Sequence, residues 1–289
     1  MTERSSVFEI CQIGKESAPG TAVAATKRLG SIKITPEPKV DVKTFSPDGF
    51  KYPLVAQVGQ DWTDFGYDGV PDYNEMIYIL SSLLGVVSPT GASTAKTWAI
   101  TPDTDGPDTM AAFTMESGSS VRGARWAHGM FTSLEFKLTR KEAKVSGKGV
   151  GQKYTDAFSM TGSLADPAPV PMNPSEFVVY LDTSGAGIGS TKLTRVLELT
   201  VSFDRQIKAL WNIDSANPSF VTVVEGRPAF KLKMKVEADA AGMGILATMR
   251  AGSSAFVRVK GTSATLAESP STYCSTQLDM CLKVSKIGK

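Results

Sequence analysis

Two stretches of this chain alternate with a strict period of two, and that period limits the fold more than any other feature of the sequence. In residues 132–140, Leu134, Phe136 and Leu138 share one phase, while Glu135, Lys137 and Thr139 share the other. In residues 230–236 the apolar phase holds Phe230, Leu232, Met234 and Val236, and the polar phase holds Lys231, Lys233 and Lys235. Successive side chains of a strand point to opposite faces, so both stretches read as half-buried strands. Alternation, or β-branched and aromatic texture, marks residues 7–13, 30–35, 52–58, 111–116, 143–147, 177–181, 196–203, 220–224, 255–260 and 276–284. Only two segments carry helical spacing. One is 71–84, with Asp72 and Glu75 as a capping box, an apolar stripe from Met76 to Leu84, and Gly85 as the terminating glycine. The other is 240–251, capped by Asp239 and ended by Gly252. The expected class is mainly β, antiparallel, with helices laid on the sheets.

The chain has 289 residues, room for one large domain or two small ones at ~100–200 residues each. Lys and Arg number 31 against 29 Asp and Glu, so no global field draws in nucleic acid or an anionic membrane. The sole histidine, His128, leaves little room for zinc sites or Ser–His–Asp chemistry. Cys11, Cys274 and Cys281 have no CxxC spacing and read as small hydrophobes rather than a disulfide framework or metal ligands. The N-terminus lacks the apolar core of a signal peptide, and no apolar run reaches the ~20 residues that span a bilayer. The expectation is a soluble protein made in a cytosol.

A break in composition falls at 156–174, where Pro167, Pro169, Pro171 and Pro174 interrupt any period. It reads as a linker between a first domain, 1–155, and a second, 175–289. The order of features repeats across it. The offset that places Phe8 on Phe177 also places Gly20-Thr21 on Gly189-Ser190. Ile32 to Gly85 and Leu199 to Gly252 are equal separations. After the helices a smaller common offset relates Phe113 to Val257 and Leu134 to Leu278, as an extra first-half loop near 86–109 would require. An internal duplication is expected.

The motifs with a chemical look have plainer readings. Gly185–Gly189 lacks Rossmann spacing, and Gly147-Lys148-Gly149-Val150-Gly151 lacks the phosphate-loop ending, so both read as turns. Asp61, Asp64, Asp68 and Asp72 crowd a presumptive loop, 59–72, without EF-hand spacing. Arg122, Arg125 and Trp126 near His128 have the composition of a subunit interface as much as of a base-stacking surface. The aspartate cluster reads as a solvated acidic face or a helix-start anion cluster, with a Ca²⁺ site as the lesser alternative, and none of these motifs implies a catalytic group or a cofactor. Two long loops are unusually aromatic. Phe45, Asp48, Phe50 and Tyr52 mark the first, and Leu210, Trp211 and Phe220 mark its counterpart in the second half. Apolar side chains in a loop need a surface to cover them.

The texture resembles the tail tube (major tail) proteins of long-tailed, non-contractile bacteriophages. The residues carrying the resemblance are Phe8-Glu9-Ile10 through Gly14–Ala22 with its Gly-Thr-Ala, and the segment 73–85 ending in Leu-Leu-Gly. Phe113-Thr114-Met115-Glu116 and Arg250-Ala251-Gly252 before Phe256–Val259 complete it. The resemblance implies sandwich or barrel-like tube domains, each flanked by a helix. Such domains join edge to edge into rings, and the rings stack into a virion tube that carries DNA into the host. With two fused domains the ring would be a trimer of pseudo-six-fold symmetry; with one domain per chain it is a hexamer. The implied partners are other copies of the chain, a tape measure protein, tail terminator and tip proteins, and DNA in non-specific transit, with assembly in the host cytoplasm and no membrane insertion. The two aromatic loops are the expected inter-ring contacts, and Glu116 and Glu135 the expected lumen-facing acids, since a lumen rich in Lys and Arg would hold DNA back. The rival readings are a β-sandwich binding module, such as an adhesin or carbohydrate-binding domain, and a β-rich hydrolase.

Overall fold

A computed structural model describes residues 9–287, apart from 92–94, 120, 215–216, 238–239 and 269–271. Strands take 51% of the chain and helices 7%, so the fold is mainly β, as the alternation implied. The first half contains β1 (Ile10–Lys15), β2 (Lys27–Leu29), β3 (Ile32–Phe45), β4 (Val55–Gly69), α1 (Met76–Leu83), β5 (Phe113–Gly118), β6 (Gly123–Thr139), β7 (Ala143–Gly151) and β8 (Thr155–Phe158). The second half contains β9 (Phe177–Asp182), β10 (Lys192–Leu193), β11 (Val196–Asp204), β12 (Lys208–Leu210), β13 (Thr222–Val224), β14 (Ala229–Val236), α2 (Ala240–Arg250), β15 (Ser254–Glu268) and β16 (Thr272–Lys283).

β6 organises the molecule. Its N-terminal part pairs with β5 and its C-terminal part with β7, giving the order β2-β1-β5-β6-β7-β4-β3. The other edge of its C-terminal part pairs with β11, which pairs in turn with β14. The halves are thus joined by a hydrogen-bonded seam, Ser133–Thr139 against Glu198–Asp204. A second sheet runs β10-β9-β15-β16. Its order and antiparallel sense match β2-β1-β5-β6 of the first half. The hairpins β3–β4 and β11–β14 correspond as well. Placing Ile32 on Leu199 puts Tyr67 on Leu232 and Phe65 on Phe230 through the two registers.

The first core is an aromatic cluster. Phe131 meets Phe65, Tyr67 and Phe113 edge-on at centroid distances of 5.6, 5.0 and 6.3 Å. Such pairs add about 0.5–1.5 kcal/mol each beyond burial. The Gly147–Gly151 repeat is the floor of this cluster rather than a turn. It lies within β7, and a methyl group at Gly147, Gly149 or Gly151 would overlap Tyr67, Phe65 or Trp126 respectively. Aromatic rings lying across a strand require those positions to be bare. The Asp-rich stretch is likewise a strand: β4 runs through Asp61, Asp64 and Asp68, with Phe65 and Tyr67 on its inward phase.

α1 packs on this core through Ile79 and Leu83. Its expected capping box does not form, because both carboxylates serve tertiary contacts. Glu75 accepts from the N–H groups of Gly30 and Ser31 at 2.7 and 3.1 Å, and Asp72 from those of Asn74 and Val170. Burial pushes the Glu75 carboxyl above its ordinary range. Gly85 and Gly252 end their helices with positive φ, as the spacing predicted. The proline-rich stretch 156–174 is a fixed strap along the first half rather than a loose tether. Thr161 binds Glu116, Asp166 pairs with Arg28, and Met172 enters the first core.

The second core lies where the β9–β15–β16 sheet faces the β11–β14 hairpin, around Val179, Leu199, Val201, Val257, Val259 and Met280. No described side chain of α2 is buried, whereas α1 buries Met76, Ile79, Ser82 and Leu83.

Candidate functional site

The two aromatic loops are the ends of two hairpin arms with opposite fates. The first arm, residues 41–60, is the outer part of the β3–β4 hairpin beyond an irregularity between Val40 and Val42. The second, residues 206–227, leaves the β11–β14 hairpin and is built on the short ladder of β12 and β13. Each closes its loop with the same bond. The Leu54 N–H donates to the Phe45 carbonyl, and the Val221 N–H to the Leu210 carbonyl, both at 3.0 Å.

The second arm is folded onto the first half. At its root Gln206 has φ 52°, and the Gly226 N–H donates to the Gln206 carbonyl at 3.1 Å. A side chain at Gly226 would collide with that carbonyl, so the pinch depends on glycine. Beyond it, Phe220 is 0% exposed and its ring lies 5.1 Å from that of His128. Trp211 meets Trp62 edge-on at 5.7 Å. Four hydrogen bonds fix the backbone there. The Asp61 N–H donates to the Pro218 carbonyl (3.0 Å), and the Ser219 hydroxyl to the Asp61 carbonyl (2.6 Å). The Lys153 N–H donates to the Ser219 hydroxyl (2.7 Å), and the Gln152 amide to the Phe220 carbonyl (2.8 Å).

Arg205 anchors the root of this arm. Its guanidinium is buried, donates to the Leu83 carbonyl at the end of α1, and pairs with Asp108 at 3.0 Å and Glu225 at 2.9 Å. The free carbonyls of a helix C-terminus suit a cation. This anchor was not among the expected site residues, yet the sequence held a signal. Arg205 continues the inward phase of Leu199, Val201 and Phe203.

The first arm has no such cover. Phe45 is 62% exposed, Phe50 58% and Tyr52 67%. Val40, Val42, Leu54, Val55 and Val58 are exposed too, and Asp48 stands at the tip among them. A two-stranded ribbon is marginally stable in water, and an apolar one needs a partner surface.

The expected contact residues therefore separate. Phe45, Asp48, Phe50 and Tyr52 are exposed together on one arm. Of the second set only Leu210 is largely exposed, at 46%. Phe220 is corrected to an internal packing residue, and Trp211 is half-buried against Trp62, because the second half folds back onto the first. Glu116 is also corrected. It is fully buried, accepting from the Thr161 N–H and hydroxyl at 2.7 and 2.8 Å, and cannot face a lumen. Glu135 does lie on the outward face of β6. That face is not acidic: β14 adds Lys231, Lys233 and Lys235 beside Glu198, which pairs with Lys137 across the seam at 3.1 Å.

The buried titratable groups look structural. His128 lies at φ 50° with its Nδ1 lacking a protein partner, and burial lowers its pKa to about 4. Glu16 ties three strands and a loop together, accepting from the Thr114 hydroxyl and from the N–H groups of His128 and Gly20. Burial pushes the Cys11 thiol up to about 12, far from nucleophilic use, while Cys281 is exposed rather than buried. Among the described residues no group of three or more His, Cys, Asp or Glu is placed to hold a metal ion. No helix among them is long and apolar enough to cross a membrane. No family model matches the chain, and no curated protein matches it.

Proposed function

We propose that this chain is a structural protein whose copies join into rings and stack into a tail tube, the conduit for DNA in a phage virion. The first arm carries this reading: a ribbon of apolar and aromatic residues stands in solvent, while its counterpart buries Phe220 and packs Trp211 on Trp62 within the chain. Among the described residues the sheet β3-β4-β7-β6-β11-β14 is open at both ends. Open edges are a hazard in a monomer and an asset in a closed ring. The two halves are read as two copies of one tube domain, so three chains make a pseudo-six-fold ring. The tape measure, terminator and tip proteins would meet the tube's bore and ends. Its role is architectural and not catalytic, and the wall passes DNA without sequence-specific contact.

Negative-stain microscopy of the purified protein tests this reading. Rings or hollow tubes are expected. Dispersed monomers at high concentration would overturn it and return the exposed aromatic tip to the binding-module alternative.

A further inference from the structure

The second arm shows how an arm of this design is covered, and the covering surface belongs to the other half of the molecule. We infer that the first arm makes the equivalent contact between chains: it lies across the second half of a neighbouring copy within the same ring, not between stacked rings. This rests on the polymerisation proposed above and names its lateral interface.

The occupant follows from the internal repeat. The hairpins β3–β4 and β11–β14 have matching registers, and each continues into an arm closed by the same backbone bond. The second arm docks on the half that precedes it in the chain, beside the sheet strand β4 and the end of α1. On the same rule the first arm meets the elements of another copy's second half that match β4 and α1, namely β14 and α2. Among the described residues β14 pairs only with β11, and no described side chain of α2 is buried. The contact joins unlike surfaces, so it propagates head to tail and closes when the rotation permits.

The β6–β11 seam cannot be copied whole between chains. At β11 the Arg205 N–H donates to the Thr132 carbonyl across the seam. The matching positions on β3 are Pro36 for Phe203 and Pro38 for Arg205, and neither has an N–H to give. The edge ladder between copies is therefore broken where the internal one is continuous. The arm, with its exposed apolar residues, must supply more of the lateral contact than its counterpart does.

The register names a test pair. Superposing the hairpins places Trp62 on Arg227, and superposing the closing bonds places Trp211 on Ser46, so the Trp62–Trp211 contact becomes Arg227 against Ser46 of the next copy. The variant Ser46→Cys/Arg227→Cys should oxidise to a ladder that stops at three chains, and Ser46→Cys mixed with Arg227→Cys should stop at two. Neither single variant should exceed the wild type, which controls for the exposed Cys281. A ladder running on without limit would refute the placement within one ring, as would a double variant no more linked than wild type. In a second measurement, Phe45→Ser/Phe50→Ser/Tyr52→Ser should lose all oligomers by sedimentation while keeping the far-ultraviolet circular dichroism of the folded β subunit. Rings or tubes from this triple variant would overturn the arm assignment and leave the tube reading standing. Closed trimers of the wild type that never stack, abolished by the triple variant, would uphold the arm and overturn the tube. A monomeric wild type would overturn both.

Discussion

His128 is the sole histidine of the chain, and acid should loosen the fold through it. The ring is 2% exposed, packs against Phe220, and has a pKa lowered to about 4 by burial, against 6.5 for the free side chain. Between those values the unfolded chain binds a proton that the folded chain refuses. Stability therefore rises with pH across this window and is constant in this respect above 6.5. At about 1.4 kcal/mol per pH unit, the loss is about 2 kcal/mol at pH 5 and about 3 kcal/mol once the window is crossed. Carboxylates also titrate near its lower end, so the comparison must be with His128→Asn, which tolerates the positive φ and does not titrate. Urea unfolding at pH 7.5 and pH 5.0 gives the measurement. The wild type should lose about 2 kcal/mol more than the variant. Equal losses in the two proteins would show that His128 is not buried as a neutral ring beneath that arm.

Two further substitutions separate internal packing from assembly. Phe220→Ala should destabilise the subunit by about 3–5 kcal/mol, read as a lower urea midpoint, because a fully buried ring leaves a cavity between the halves. Arg205→Ala should cost about 3–5 kcal/mol by the same assay, since it strands Asp108 and Glu225 and frees the Leu83 carbonyl. Arg205→Ala/Asp108→Asn should recover part of that loss.

The β class, the two helices and their terminating glycines were legible in the sequence, because periodicity and φ preference are local properties. Thr132–Thr139 and Phe230–Val236 advertise two faces regardless of what covers them. Which surface supplies the cover is a long-range matter. The glycines of β7 look like a turn until the rings of Tyr67, Phe65 and Trp126 are laid across them. The acids of β4 look like a loop because Phe65 and Tyr67 are a sparse inward phase. Glu116 has the charge of a surface residue, yet Thr161, far along the chain, satisfies it in the interior.

The two arms make the same distinction most sharply. Their aromatic residues and their place in the repeat were evident from composition and spacing alone. Only the tertiary structure decided that Phe220 is spent inside the molecule while Phe45, Phe50 and Tyr52 remain in solvent. The reason is positional. The second arm folds back onto the half before it, and no described residue covers the tip of the first arm.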